Sequence, residues 1–442
     1  MTIVARTAGA FAQLLGPLAE AAATTSGVIE RHRKFTARSL ARTFVLGFLQ
    51  KPAASDEQLA QVAAQCGVSV TPQAIERRHT PRLVQFLESL LRRAVTTVIG
   101  SETALAPLLE RFAEVTVLDS TTITLPDSQR GRFPGCGGNY GSGQATLKVQ
   151  AELDLRSGAI THVELEAGRT SDGGSTRQQA SRPAGALRIA DLGYFSVGVF
   201  AAMVTAGSHF LSRLHFKTSI RTLDDDEPLD LLPWLTRQPG PWIDAAIRLG
   251  PERLACRLIA WRLPADRAAE RRRRLRQHFR ARSGATPSAT RLTWCDWTIL
   301  VTSVPPAMLT PTETAVLYRA RWQIELLFKR WKSQNLVAGL SGSSDVRQMV
   351  RVWARLLAAL VQHWLIVTAG NGDPNRSWNK LAEAVRGFVS RFLAAGLDVE
   401  AWTEILADLQ RLAASTCRRD PRSQPGTAEL LNQPSRLDFR LS

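Results

Sequence analysis

Acid is what this chain has little of: 39 Asp and Glu stand against 56 Lys and Arg, giving a net charge of +17 and a pI near 10.7. Such a balance is the electrostatic footprint of a protein that meets polyphosphate, and it makes nucleic acid the leading partner class. Cysteine is equally uninformative as a scaffold. Cys66, Cys136, Cys256, Cys295 and Cys417 are scattered, odd in number and free of CxxC or Cys/His ligand spacing, which excludes a zinc module and a disulfide framework. A phosphate-cradling loop is also missing. The glycines between Arg130 and Gly143 do not lead from a strand into a helix with dinucleotide or P-loop spacing, so a mobile surface loop is expected there. Long apolar runs are absent too. The apolar start after Arg6 is interrupted by Gln13, Gly16, Pro17 and Glu20, and Trp353 to Thr368 is short and carries Arg355, Gln362 and His363. A buried helix in a cytosolic protein is expected, with no membrane partner.

What is present is a globular composition, 44% hydrophobic and 21% charged, over 442 residues, long enough for two or three domains. The first hundred residues read as helices, including Thr36 to Leu49 and Pro81 to Val98. Between them, Ser55-Asp56-Glu57-Gln58 has capping-box form before an apolar run, Gly67 can end that helix, and Thr71-Pro72 can start another. This is helix-turn-helix grammar, and the second helix would present Gln73, Glu76, Arg77 and Arg78 to DNA; two packed helices in a bundle would carry the same pattern. From about Glu114 the pattern becomes α/β. Strands are expected at Val115 to Leu118, ending in Asp119, at Thr146 to Leu155, at Ile160 to Glu166, at Leu187 to Ala190, leading into Asp191, and at His209 to Leu214. Residues 216–297 read as a β-rich insertion containing the basic run Arg271 to Arg274, Arg276, Arg280 and Arg282, which suits either phosphate contact or a solvated helix face. Asp345 to Leu412 reads helical, and Arg418 to Ser442 reads as a polar tail open to disorder.

One segment carries chemistry. On a helix begun by Pro311, Arg321 lies about 60°, Glu325 about 20° and Lys332 about 40° from Tyr318, so four polar groups share one stripe. Leu317, Ile324, Leu327, Phe328 and Trp331 fall on the adjoining arc and should pack the helix, holding Glu325 at the core edge. A surface ion pair between Arg321 and Glu325 is the plain alternative. With Asp119 and Asp191 at strand ends, Glu325 completes three carboxylates, which together suit an open site for Mg2+, whose octahedron is finished by water and substrate phosphate. Two such ions serve an in-line displacement at a phosphodiester.

These residues resemble the DDE transposases of bacterial insertion sequences, specifically insertion sequence family four. The signature of that family is Tyr, two residues, Arg, three residues, Glu, six residues, Lys; Tyr318, Arg321, Glu325 and Lys332 match it without a gap. The acidic motifs are Val-Leu-Asp119-Ser120-Thr121 and Ala-Asp191-Leu-Gly-Tyr194-Phe195, 72 residues apart, with 134 more to Glu325. The resemblance implies an α/β fold, a ribonuclease H-like catalytic core with an inserted β-rich subdomain, flanked by N-terminal and C-terminal helical regions. The corresponding divisions are 1–110 for the helical DNA-binding region, 111–215 for the first part of the core, and 216–297 for the insertion. The rest of the core is 298–344, the C-terminal helices 345–417 and the tail 418–442. Asp119, Asp191 and Glu325 map to the catalytic, metal-binding triad for Mg2+ or Mn2+, as two ions. Tyr318, Arg321 and Lys332 map to residues that bind DNA phosphates. Implied partners are double-stranded DNA, as terminal inverted repeats and target, and a second copy in a homodimer on DNA, in the bacterial cytoplasm and at the nucleoid when bound. The implied activity is cut-and-paste transposition by strand cleavage, a hairpin at the element's end and 3′-hydroxyl strand transfer. A metal-dependent DNA nuclease, or a non-catalytic DNA-binding regulator derived from a transposase, stays open. Trp294 and Trp297 are candidates to stack on a flipped base, but no motif pins either one and a core role is expected.

Overall fold

Threonine and serine caps set the helix starts near the N-terminus. Thr36 caps Ala37–Gln50 and Ser55 caps Asp56–Gln65, each with a reciprocal bond from the residue at the third helical position, while Thr71 with Pro72 opens the short helix Pro72–Glu76. Gly67, at φ +80°, makes the turn between the last two, a left-handed position that an L side chain adopts only with strain. Thr80 and Pro81 then open Pro81–Ala94, which ends four residues before the expected Val98 because Val95 to Thr97 form a turn. The computed structural model describes residues 1–29, 34–136, 143–333, 344–421 and 423–438, without the side chain of residue 282. Part of the expected 130–143 loop, residues 137–142, therefore lies outside the described residues.

Contacts divide the chain into two bodies. The first holds Met1–Leu105, Asp119–Thr170 and Gln323–Pro421; the second holds Ala106–Leu118, Ser171–Trp322 and Arg422–Ser442. Among the described residues nine strands follow in chain order: β1 Val115–Thr124, β2 Thr146–Asp154, β3 Ile160–Ala167, β4 Leu187–Ala190, β5 His209–Arg213, β6 Ile220–Thr222, β7 Trp242–Leu249, β8 Leu254–Arg262 and β9 Trp297–Thr302. The fold is thus mixed α/β, with a large sheet and many helices.

In the first body, β2 and β3 form an antiparallel hairpin, with Leu147 opposite Ala167 and Ala151 opposite Val163. Around it lie helices whose apolar faces make one core. Asp345–Gly370 is central: its most apolar window is completely buried, as expected for Trp353 to Thr368. The N-terminal helix Ile3–Leu15 packs Phe11 edge-on against Trp402 of Val399–Thr416 at 4.9 Å, so sequence ends far apart are joined by aromatic burial.

In the second body the beginning of β1 runs parallel to β4, and β4 parallel to β5. Antiparallel β9, β8, β7 and β6 continue from β5, so the strands of the 216–297 stretch extend the sheet through β9. A core of Leu118, Phe200, Phe210, Leu258, Val301 and their neighbours fills this body, and helix Val197–Thr205 covers it. Phe200 stacks flat on Phe210 at 4.3 Å.

Three expectations need correction. β1 does not end at Asp119 but runs on to Thr124, because the β-branched Thr121, Thr122, Ile123 and Thr124 favour extended backbone. The helix begun by Pro311 ends at Ala320, and a second helix, Trp322–Ser333, carries Glu325; at Arg321 the backbone stays in the right-handed region, but its N–H bonds Tyr318 in a tightened last turn. The polar tail carries structure: it contains helix Thr427–Asn432, whose Leu430 and Leu431 are buried, while residues 422 and 439–442 lie outside the described residues.

Candidate active site

Four buried residues of β4, Leu187 to Ala190, deliver Asp191 to the strand's C-terminal end, where its backbone opens a single 3₁₀ turn, Leu192–Tyr194. Tyr194 is buried and anchors that turn: its N–H bonds the Asp191 carbonyl, and its own carbonyl accepts from Gln178. The Asp191 carboxylate is thereby held at the rim of the core with 41% of its side chain exposed. Arg321 meets it, Nε standing 3.8 Å from Oδ1, with only 14% of the arginine side chain exposed. Two residues that sequence assigned to different motifs are therefore ion partners within the second body.

Tyr318, one turn before Arg321, sits in the same charge cluster. Burial pushes its phenol up to about 12; the cations Arg213 and Arg321 oppose that shift and the Asp191 carboxylate adds to it. The phenol remains protonated at neutral pH; among the described residues its buried hydroxyl has no partner at full hydrogen-bonding geometry, and the Arg321 guanidinium is the polar group beside it. Arg213 closes β5, next to Ser212, whose hydroxyl bonds the Ala190 carbonyl at 3.2 Å. Arg271, on helix Ala265–Ser283, donates to the Trp297 carbonyl and the Thr298 hydroxyl at 3.2 Å each. Burial and then the repulsion of Arg213 bring its guanidinium down to about 10, which still leaves it charged. Three arginines thus lie about the Tyr318 phenol, one of them paired with the Asp191 carboxylate, an anion-seeking arrangement. Sequence reasoning missed Arg213, and it named Arg271 only as part of a basic run; the signal for Arg213 was its place at the end of the strand beside β4.

The first body holds Asp119, Glu325 and Lys332. Asp119 is the fifth of the ten residues of β1, half-buried, with its Oδ1 accepting from the Ser120 N–H at 2.8 Å. Glu325 is half-buried in the first turn of its helix, and Ile324, Leu327, Phe328 and Trp331 are buried beside it, the packed arc expected from the sequence. Phe328 and Trp331 meet edge to face at 5.7 Å. Lys332 is exposed in the last turn. The stripe Tyr318, Arg321, Glu325 and Lys332 is accordingly split: two of its members belong to the second body and two to the first. The three acids divide likewise, and among the described residues no group of three His, Cys, Asp or Glu converges closely enough to hold a metal ion. In donor chemistry the acids do suit a hard divalent cation, since each is a carboxylate only partly removed from water.

The remaining candidates have mixed settings. In the helix-turn-helix segment Gln73 and Arg77 are exposed, whereas Glu76 lies 3.7 Å from Arg347 and Arg78 sits over the Phe35 ring at 5.3 Å. In the basic run, Arg272 pairs with Asp296 and Arg274 with Glu270, while Arg273, Arg276 and Arg280 are exposed; the side chain at 282 lies outside the described residues. Trp294 and Trp297 pack against the core of the second body, the role expected of them.

Comparison with known proteins places these features in a family. The profile of the transposase DDE domain matches residues 110–361. The transposase of insertion sequence element IS231B from Bacillus thuringiensis subsp. berliner is 26% identical over 362 residues, 76% of this chain and 74% of its own length. That of IS231C from the same subspecies is 27% identical over 377 residues, 79% and 77% of the two chains. The transposase of IS1151 from Clostridium perfringens is 24% identical over 320 residues, 67% and 66%. The matched stretch takes in Asp119, Asp191, Tyr318, Arg321, Glu325 and Lys332 and exceeds half of the sequence, so the chain belongs to the DDE transposase family.

Proposed function

We propose that this transposase moves an insertion sequence of family four by cut-and-paste chemistry on double-stranded DNA. The observation that carries the reading is the Asp191–Arg321 pair beside the buried Tyr318 phenol, which joins an acidic motif to the Tyr-Arg-Glu-Lys signature. A ribonuclease H-like core is supported by parallel β1, β4 and β5 accompanied by the antiparallel β2–β3 hairpin. Asp119, Asp191 and Glu325 would hold Mg2+ or Mn2+, as two ions, and the bound cations would supply positive charge to the phosphate under attack.

The chain's own residues seat and orient the DNA end. Arg321, with Arg213 and Arg271 nearby, offers phosphate oxygens planar guanidinium donors in a setting partly withdrawn from water, where charge-assisted bonds are strong. Tyr318, protonated throughout the neutral range, donates a hydrogen bond and does not act as a nucleophile. Lys332 adds a point charge from the exposed last turn of its helix. At the reacting phosphorus one O–P bond forms as the opposite P–O bond breaks: water attacks in hydrolysis, and the freed 3′-hydroxyl attacks the opposing strand's phosphodiester in hairpin formation and the target's phosphodiester in strand transfer, so the three steps share one site. Action as a homodimer on two ends, in the cytoplasm and at the nucleoid, completes the reading.

Substituting Glu325→Gln tests it. The variant is expected to bind duplexes bearing the element's inverted repeats within about threefold of wild type, while Mg2+-dependent nicking and strand transfer fall to background. Undiminished cleavage in a gel assay would overturn the assignment.

A further inference from the structure

Helix Pro81–Ala94 has a second face. Leu83, Phe86, Leu87, Leu90 and Leu91 are buried in the first body, whereas Gln85, Glu88, Ser89, Arg92 and Arg93, together with Arg132 from the segment after β1, line an open cavity of about 500 Å³. Spacings of three and four residues bring the helical members onto neighbouring turns. Glu88 is the organiser. Only 8% of its side chain is exposed, and its carboxylate accepts from Arg92 Nε at 3.0 Å and Nη2 at 2.9 Å, and from Arg132 Nη1 at 2.8 Å and Nη2 at 2.5 Å. The Arg132 guanidinium also lies over the Phe133 ring at 4.9 Å.

The charges do not balance. One carboxylate neutralises one guanidinium, yet three arginines line the cavity, a surplus of two positive charges. Arg92 and Arg132 are fixed by Glu88 but remain half exposed, 50% and 53%, and each spends two of its five N–H donors on the carboxylate. The guanidinium of Arg93 has no hydrogen-bond or ion-pair partner among the described residues. A purely structural ion pair needs neither the second arginine nor the third. Holding two forks rigid in an open, positively charged groove removes most of the entropy cost of gripping an anion there.

We infer that this cavity is a phosphate seat for the backbone of double-stranded DNA, separate from the residues assigned to chemistry. Its surplus charge lies on guanidiniums, which grip phosphate oxygens and so add affinity and register. The inference rests on the reading of the chain as a transposase acting on DNA.

The test uses the full chain and a duplex unrelated to any element end, with affinity measured between 50 and 200 mM salt. Two variants separate binding from folding: Arg93→Gln, which leaves the Glu88 network intact, and Glu88→Gln/Arg92→Gln/Arg132→Gln, which leaves no buried carboxylate unpaired. Each lost phosphate contact lowers the slope of log affinity against log salt by about 0.9. The expected result is a slope smaller by about one for Arg93→Gln and by about one for the triple variant, which removes two guanidiniums and one carboxylate and so a net single positive charge, with weaker binding at 50 mM in both. If the triple variant does not fold, Arg93→Gln decides alone. Variants with wild-type slope and affinity overturn the seat while leaving the transposase reading standing. A wild-type chain that binds no duplex at any salt overturns both.

Discussion

A buried hydroxyl with no partner at full hydrogen-bonding geometry among the described residues gives the residue scale its sharpest test. Burying an unbonded hydroxyl costs on the order of 1–3 kcal/mol, so Tyr318→Phe should leave stability unchanged or raise it by about 1 kcal/mol. If the phenol donates to a DNA phosphate, the same change removes a hydrogen bond to a charged group, a loss of roughly 1.5–3 kcal/mol or about tenfold to a hundredfold in cleavage of the element's end. Thermal unfolding and single-turnover cleavage measured on one preparation distinguish the two roles: a destabilised variant with normal cleavage would mean that the hydroxyl bonds within the fold and not to DNA. Tyr318 and Arg321 were readable because their spacing from Glu325 is a motif. Arg213 was not, since a lone arginine closing a strand looks the same in any sheet; only the parallel placement of β4 and β5 brings it to Asp191 and Tyr318.

At the scale of elements, the helix Trp322–Ser333 buries an arginine that the motif does not include. Arg330 is 8% exposed, its guanidinium 4.7 Å from the centre of the Trp378 ring, and among the described residues it has no carboxylate partner. Burial lowers its pKa to about 10, so it stays charged. A desolvated cation–π contact is worth about 2 kcal/mol, whereas withdrawing an ion from water costs several. Desolvation should win: Arg330→Met, which keeps the length and loses the charge, is expected to raise stability by roughly 1–3 kcal/mol in urea unfolding. A loss greater than about 1 kcal/mol would show that the cation itself holds the helix. Elements with explicit start signals were legible before the structure: the Thr36, Ser55 and Thr71 caps, Pro311, and the β4 run ending at Asp191. The break at Arg321 was not legible, because its residues are good helix formers and the interruption is a tightened turn between two bodies of the chain. The short helix Thr427–Asn432 was hidden for the opposite reason: its polar composition suggests disorder, and only burial of Leu430 and Leu431 against tertiary neighbours stabilises it.

At the scale of the whole molecule, two histidines couple the fold to pH. His363 is enclosed in the first body, its Nε2 bonded to the Gly158 carbonyl at 2.9 Å, and burial, with repulsion from Arg330 behind it, lowers its pKa to about 3. His79 is lowered to about 4 by burial first and Arg351 second, which outweigh Glu76 and the Asp56 carboxylate 3.1 Å from its Nε2. Both are neutral in the folded chain at pH 5, whereas in the unfolded chain each takes up a proton below about 6.5. The unfolded state therefore binds more protons, and stability falls as pH drops from about 6.5 towards 4 for His79 and towards 3 for His363. Each should contribute up to about 1.4 kcal/mol per pH unit within that window, and its upper part, above about pH 5, lies clear of most carboxylate titration. Urea midpoints between pH 7 and pH 5 should consequently move down with pH, and His363→Leu should reduce that slope by about half even if it lowers stability at pH 7 through the lost bond to Gly158. A wild-type midpoint independent of pH over this range would mean that these histidines take up protons in the folded chain, and that the core around them admits water.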